Sequence, residues 1–106
     1  MARALVSVPA KAKRGQILDL RALISHPMET GFRPDRTGKL YPRDIIHTFT
    51  CSYNGMEVFK AELYPAISAN PFLSFTTVAT ESGTLEFRWT ADDGKVFAEK
   101  ANIVVE

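Results

Sequence analysis

Ile45-Ile46-His47-Thr48-Phe49-Thr50-Cys51-Ser52-Tyr53-Asn54-Gly55-Met56-Glu57-Val58-Phe59-Lys60-Ala61-Glu62-Leu63-Tyr64 is the stretch whose reading decides the fold. Two runs rich in β-branched and aromatic residues flank Asn54-Gly55, and both turn residues tolerate the positive φ of a type I′ turn. The stretch therefore reads as a tight antiparallel hairpin. A two-residue turn pairs Tyr53 with Met56 and Cys51 with Val58 on one face. It sets Ile46, Thr48 and Thr50 with Leu63, Ala61 and Phe59 on the other. Both faces are then substantially apolar, so the hairpin belongs inside a sandwich or beneath a partner.

The period of two continues outward from this hairpin. In residues 16–25, Leu18, Leu20, Ala22 and Ile24 share one face, with Asp19, Arg21 and Ser25 opposite, as in a strand with one wet side. Residues 65–71, bounded by Pro65 and Pro71, read as a connecting loop. A strand at 72–80 leads to the turn Glu81-Ser82-Gly83. In 84–90, Leu85, Phe87 and Trp89 alternate against Glu86 and Arg88. Asp92-Asp93-Gly94 turns the chain again. The last strand, 96–105, has Ala101, Ile103 and Val105 on its apolar side, and a first strand lies near 4–8. No amphipathic helix, internal repeat or low-complexity segment interrupts the series. About seven short strands at regular spacing predict an all-β, immunoglobulin-like antiparallel β-sandwich, a single domain over residues 1–106. With one cysteine, Cys51, the paired-cysteine hallmark of antibody domains is absent.

A chain of 106 residues buries roughly 60–70% of its unfolded surface, enough for an independent core. Its 13 basic and 12 acidic residues leave a net charge of +1, so no nucleic-acid-binding face is expected. No apolar run approaches the roughly 18 residues of a membrane span, and no membrane association is expected. Residues 2–12 make a poor signal peptide, because the apolar patch is short, broken by Pro9 and alternates like a strand. By these rules alone the chain reads as cytoplasmic.

Catalytic parts are scarce. The histidines are His26 and His47, and Cys51 is the only thiol. His47 and Cys51 share a strand face but stand about 13 Å apart at the usual rise, too far for a nucleophile and its base. A mid-strand Cys51 flanked by Thr50 and Ser52 reads as a small core residue. These residues match no zinc spacing, and Asn54-Gly55, Gly83 and Gly94 are isolated turn glycines rather than a phosphate loop. His47 is expected opposite Glu62, Asp92 and Asp93 shape a turn, and Trp89 sits in the core. No enzyme mechanism, metal or cofactor follows.

The exception to short turns is 26–43, nearly twenty residues without a period, a length typical of functional loops. It opens on His26-Pro27-Met28-Glu29-Thr30-Gly31. Its charges are Arg33, Arg36, Lys39 and Arg43 against Glu29 and Asp35, so 4 − 2 = +2, with Phe32, Leu40 and Tyr41 as apolar anchors. Two readings stand side by side. In one, the loop contacts a partner, as loops on rigid sandwiches often do, with His26, Met28, Glu29, Thr30, Phe32, Arg33, Arg36 and Tyr41 as contact residues. In the other, the segment only braces the fold: Pro27 fixes φ, Met28 plugs the core edge and Gly31 permits a turn.

This hexapeptide resembles the HPMETG segment of the SoxZ family, the Z subunit of the bacterial sulfur-oxidising (Sox) carrier. The similarity continues through Tyr53-Asn54-Gly55, Ala69-Asn70-Pro71, Glu81-Ser82-Gly83-Thr84-Leu85, Trp89 and Asp93-Gly94. The resemblance implies a non-catalytic subunit that forms a heterodimer with a Y subunit, also a β-sandwich. A cysteine on a flexible arm of that Y subunit carries the sulfur intermediate of thiosulfate oxidation. It implies transient docking to the Sox cytochrome, hydrolase and sulfur dehydrogenase enzymes, and periplasmic residence by co-export with the Y subunit rather than by a signal of its own. The chain ends in the strand-like Ala101-Asn102-Ile103-Val104-Val105-Glu106, as expected of the Z rather than the Y role, and Cys51 is then not the carrier thiol. Self-association of the isolated chain is a further expectation. Two other classes remain: an unrelated immunoglobulin-like interaction or assembly module, and a thiol enzyme using Cys51.

Overall fold

Eight strands build two packed sheets in a computed structural model that describes residues 3–64, 67 and 69–106. In chain order they are β1 (Ala4–Ser7), β2 (Lys11–Ala12), β3 (Ile17–Ile24), β4 (Ile46–Tyr53), β5 (Met56–Glu62), β6 (Phe72–Val78), β7 (Gly83–Ala91) and β8 (Val96–Val105). One sheet has the order β1-β3-β6 and the other β2-β8-β7-β4-β5. The all-β sandwich read from the sequence stands. The extra strand is β2, two residues that pair parallel to β8 where every other pairing of named strands is antiparallel. Of the proline-bounded loop at 65–71, Pro65, Ala66 and Ser68 lie outside the described residues, as do Met1 and Ala2.

The β4–β5 hairpin closes on Asn54 and Gly55 with φ of 50° and 84°, the double positive φ of a type I′ turn. Tyr53 faces Met56 as expected, but Cys51 faces Phe59 rather than Val58, because Val58 is an extra residue in β5. A second bulge follows in β4, where Ile46 faces Ala91 and Thr48 faces Thr90, leaving His47 without an opposite. Each bulge reverses the side to which the following residues point. The expected grouping of Ile46, Thr48 and Thr50 with Leu63, Ala61 and Phe59 is therefore corrected. Ile46 joins Phe49, Cys51 and Tyr53 on the buried face, and Phe59 and Ala61 join them from β5. Two single-residue insertions thus resolve the conflict of a hairpin apolar on both faces.

Phe49 lies at the centre of the core, with its ring centroid 5.2 Å from Trp89, 5.7 Å from Phe75, 6.1 Å from Phe59 and 6.3 Å from Phe87. Phe59 and Phe75 stack at 4.2 Å and join the outermost strands β5 and β6 across the side of the sandwich where neither has a further neighbour. The Val58 bulge is what turns Phe59 inward to make this stack. Leu18, Leu20, Ala22 and Ile24 fill the core from β3, as their alternation indicated. Fully burying each large apolar side chain contributes about 1.5–3 kcal/mol.

Candidate docking surface

The segment after β3 is an ordered arm rather than an aperiodic loop. Glu29 and Asp44 exchange backbone hydrogen bonds of 2.9 and 2.8 Å, and Pro34 bridges Leu40 higher up. At the tip, Asp35 Oδ1 accepts bonds from the Thr37 amide (2.8 Å), the Thr37 hydroxyl (2.7 Å) and the Lys39 amide (3.0 Å). These donors, the Thr37 hydroxyl foremost, hold the Asp35 carboxyl below its ordinary pKa. The arm is a narrow ribbon closed by an Asx turn. Its pairing skips too many residues to leave a period of two.

The root of the arm is buried. His26 and Met28 are only 6% and 4% exposed. Met28 has a φ of 52°, unusual for an unbranched apolar residue. Its amide donates to His26 Nδ1 at 3.0 Å, which places the ring proton on Nε2, and its sulfur accepts the Ile46 amide at 3.3 Å. Asn70 fixes His26 in turn: the His26 amide donates to Asn70 Oδ1 (2.9 Å), and the Asn70 amide donates to the His26 carbonyl (2.8 Å). Of the expected contact residues, His26 and Met28 are thus enclosed by their own chain and serve the arm from within. Gly31, at φ 86°, packs against Arg43, whose Cβ a side chain there would crowd at 3.1 Å.

Glu29, Thr30, Phe32, Arg33, Arg36 and Tyr41 lie on the arm itself. Phe32 is 77% exposed, and Leu40 and Tyr41 are also exposed. Arg33 donates twice to Glu29 and lies 4.0 Å over the Tyr41 ring, a cation–π contact that stiffens the shaft. The hydrogen bond from Arg33 lowers the Glu29 pKa, and Glu29 raises that of Arg33. Arg43 grips Asp92, in the turn between β7 and β8, with bonds of 2.7 and 3.0 Å, and Asp92 also accepts the Ile45 amide at 3.2 Å. Arg43 holds the Asp92 carboxyl below its ordinary range. Sequence reasoning gave Asp92 only a turn; its tie to a residue 49 positions earlier has no local signal. Arg36 and Lys39 take part in no ion pair among the described residues, so the tip presents cations beside Phe32 and Leu40.

Elsewhere the chemistry is inert. Cys51 is fully buried, and desolvation pushes its thiol up to about 12, so almost none of it is thiolate at neutral pH. His47 does not meet Glu62: the bulge sets Thr48 opposite Glu62, His47 Nδ1 lies 2.7 Å from Thr48 Oγ1, and Glu62 accepts from the Tyr64 hydroxyl. Trp89 is buried in the core. No group of three His, Cys, Asp or Glu among the described residues could hold a metal ion.

Comparison with known proteins places this geometry. Solved structures of the same architecture include a superoxide reductase (neelaredoxin) from Ignicoccus hospitalis, with a TM-score of 0.72 and 18% identity over 97% of this chain and 80% of that one. A putative superoxide reductase from Thermotoga maritima gives 0.74 at 15% identity, covering 97% and 85%. The sulfur carrier protein SoxY from Chlorobium limicola f thiosulfatophilum gives 0.67 at 14% identity, covering 97% and 78%. At such identities the likeness is one of fold. None of the curated proteins searched matches in sequence. The family described as sulphur oxidation protein SoxZ, however, matches residues 6–102, which takes in the arm, both bulges, the six strands β2 to β7 entire, the second half of β1 and most of β8. The chain therefore belongs to the SoxZ family and is a component of the Sox sulfur-oxidation system.

Proposed function

We propose that the protein is the non-catalytic Z subunit of the Sox carrier. It binds the Y subunit, whose cysteine carries the sulfur intermediate of thiosulfate oxidation, and helps present that cargo to the Sox enzymes. The observation that carries the reading is the state of Cys51, the chain's only thiol, fully buried between Phe59 and Phe87 of the neighbouring strands with its pKa pushed up to about 12. A covalent sulfur carrier needs an accessible thiolate, so the cargo belongs on another chain. The match to the SoxZ family over most of the chain supports the same division of labour. Fold likeness to superoxide reductases brings no redox chemistry with it, since function resides in sites rather than folds.

In this reading the arm is the docking element for the enzymes that visit the carrier. Its exposed Phe32 and the cations Arg36 and Lys39 suit brief, charge-steered encounters with acidic, apolar-centred surfaces. A rigid body that enzymes dock raises the effective concentration of the cargo thiol at each active site. Residence in the periplasm, reached with the Y subunit, completes the proposal.

Isolation of the native complex from thiosulfate-grown cells tests it. A second chain bearing a sulfur-modified cysteine is expected, with Cys51 unmodified by mass spectrometry and the pair in the periplasmic fraction. Sulfur adducts on Cys51, or a complex without a cysteine-bearing partner, would remove the reading.

A further inference from the structure

The outer face of the β1-β3-β6 sheet carries a pattern with a centre. Along β3 the outward residues are Ile17, Asp19, Arg21 and Leu23, in the order apolar, acid, base, apolar. Beside them on β6 stand Val78, Thr76, Ser74 and Phe72, in the order apolar, hydroxyl, hydroxyl, apolar. Leu5 of β1 extends the Leu23–Phe72 row across the third strand. Both apolar rows reach solvent, Ile17 being 69% and Phe72 58% exposed. A half-turn about Leu20 exchanges the two apolar rows and exchanges acid with base. Among the described residues neither Asp19 nor Arg21 takes part in an ion pair. The same spacing on β7 closes on itself, with Arg88 donating to Glu86 at 2.9 Å.

We propose that this face pairs with the same face of a second copy of this chain, the two β3 strands running in opposite directions about a two-fold axis at Leu20. The pairing stands apart from the carrier reading above. Charge complementarity selects the occupant. A closed pair of identical chains needs a self-complementary patch, in which one residue meets another and the reverse contact follows by symmetry. A face of single sign would repel its own copy. Here Asp19 of each copy meets Arg21 of the other, Ile17 lies against Leu23, and Val78 lies against Phe72. Twisted sheets pack at about 10 Å with their strands within about 30° of alignment, a gap that an aspartate and an arginine can close between them. Area sets the strength. Three strands about 4.8 Å apart and about seven residues long at about 3.4 Å each give a face of roughly 300 Å². A stable complex buries about 800 Å² per partner, so this pair is weak and reversible, with a dissociation constant above about 1 μM.

The test is sedimentation of the full-length chain over a concentration series reaching about 1 mM. The wild type should show a monomer–dimer equilibrium. Asp19→Arg leaves two bases on the face and Arg21→Asp leaves two acids, so each should weaken the dimer by about tenfold or more. Both positions are exposed, so folding is expected to survive, verified by an unchanged melting temperature. An equimolar mixture of the two variants should recover the dimer, because two bases then meet two acids. Asp19→Arg with Arg21→Asp in one chain restores the pattern in reverse and should stay within about threefold of wild type. A wild-type chain that is monomeric throughout overturns the proposal, as does a dimer that neither single variant weakens. A mixture that remains monomeric overturns the antiparallel two-fold arrangement and the proposal with it. A monomeric wild type whose affinity for purified Y subunit falls about tenfold with Phe72→Lys would give the face to that partner and overturn the self-pairing, while leaving the carrier reading intact.

Discussion

The two ends of the sandwich use the same latch for opposite purposes. At the hairpin end, Asn54 stands at φ 50°, its amide donates to the Thr84 carbonyl and its Oδ1 accepts the Thr84 amide. At the arm end, Asn70 stands at φ 53°, its amide donates to the His26 carbonyl and its Oδ1 accepts the His26 amide. In each case a left-handed asparagine supplies a two-bond substitute for one more rung of a sheet. The hairpin end then closes. Asn54 Nδ2 reaches the Ser82 carbonyl, the Tyr53 hydroxyl donates to the Glu81 carbonyl, and the same hydroxyl accepts the Thr80 and Glu81 amides. The arm end opens instead: from the latched His26 the chain runs through buried Met28 into a sixteen-residue ribbon from Glu29 to Asp44. A sandwich end sealed by side-chain bonds finishes in short turns. An end sealed by one buried plug can project a ribbon and keep its root rigid.

The comparison breaks most readily at the plug. Met28→Ala removes a buried side chain between β3 and β4 and is expected to cost about 2–5 kcal/mol in chemical denaturation. A loss below 1 kcal/mol would mean that the root of the arm collapses freely and needs no plug. Gly83→Ala attacks the other latch, since an added Cβ would collide with the Asn54 side-chain amide. It is expected to cost about 1–3 kcal/mol, with amide exchange quickened around 80–84 and unchanged in the arm. Exchange rising equally at both ends would show that the latches act as one unit.

A weaker test concerns acid. Asp92 is held by Arg43 with its pKa lowered in the folded chain. A depressed carboxylate contributes stability that is fully present above its unfolded value, about 4, and is lost as pH falls through the lower folded value. Melting temperatures of Asp92→Asn and wild type should therefore converge below about pH 4 and separate above it, with wild type the more stable. Parallel curves would remove the Arg43 tie as a contributor. The smallest expected effect is that of Arg33→Ala. This exposed shaft contact should leave the melting temperature unchanged and raise only the mobility of Tyr41 and Leu40 in NMR relaxation.

Much of this was legible beforehand because it is local. Asn54-Gly55 declared its turn, the alternation in β3 named Leu18, Leu20, Ala22 and Ile24 as core, and Cys51 between two small polar neighbours read as a packed residue. The hexapeptide from His26 to Gly31 announced both the family and the start of the unusual segment. The candidate surface was legible only in part. His26 and Met28 carry the chemistry that suggests contact, yet they lie inside, because the reciprocal bonds with Asn70 and the seat beneath Ile46 come from residues 44 and 18 positions away. The arm looked aperiodic because its bridges pair Glu29 with Asp44 and Pro34 with Leu40, too sparse a ladder to impose alternation.

What the sequence by itself determined is therefore what depends on neighbours along the chain: turn chemistry, strand periodicity, the lack of a reactive thiol setting and membership of a family. The tertiary structure alone decided which face each strand turns inward. One extra residue, at His47 and again at Val58, reverses that choice for everything beyond it. Nothing within β4 or β5 marks the insertion, because a bulge is a mismatch between two strands. The tertiary structure also decided that Leu5, Leu23 and Phe72, each unremarkable in its own strand, form a single row. Adjacency across a sheet is a property of register, and register is set by the packing of the whole core.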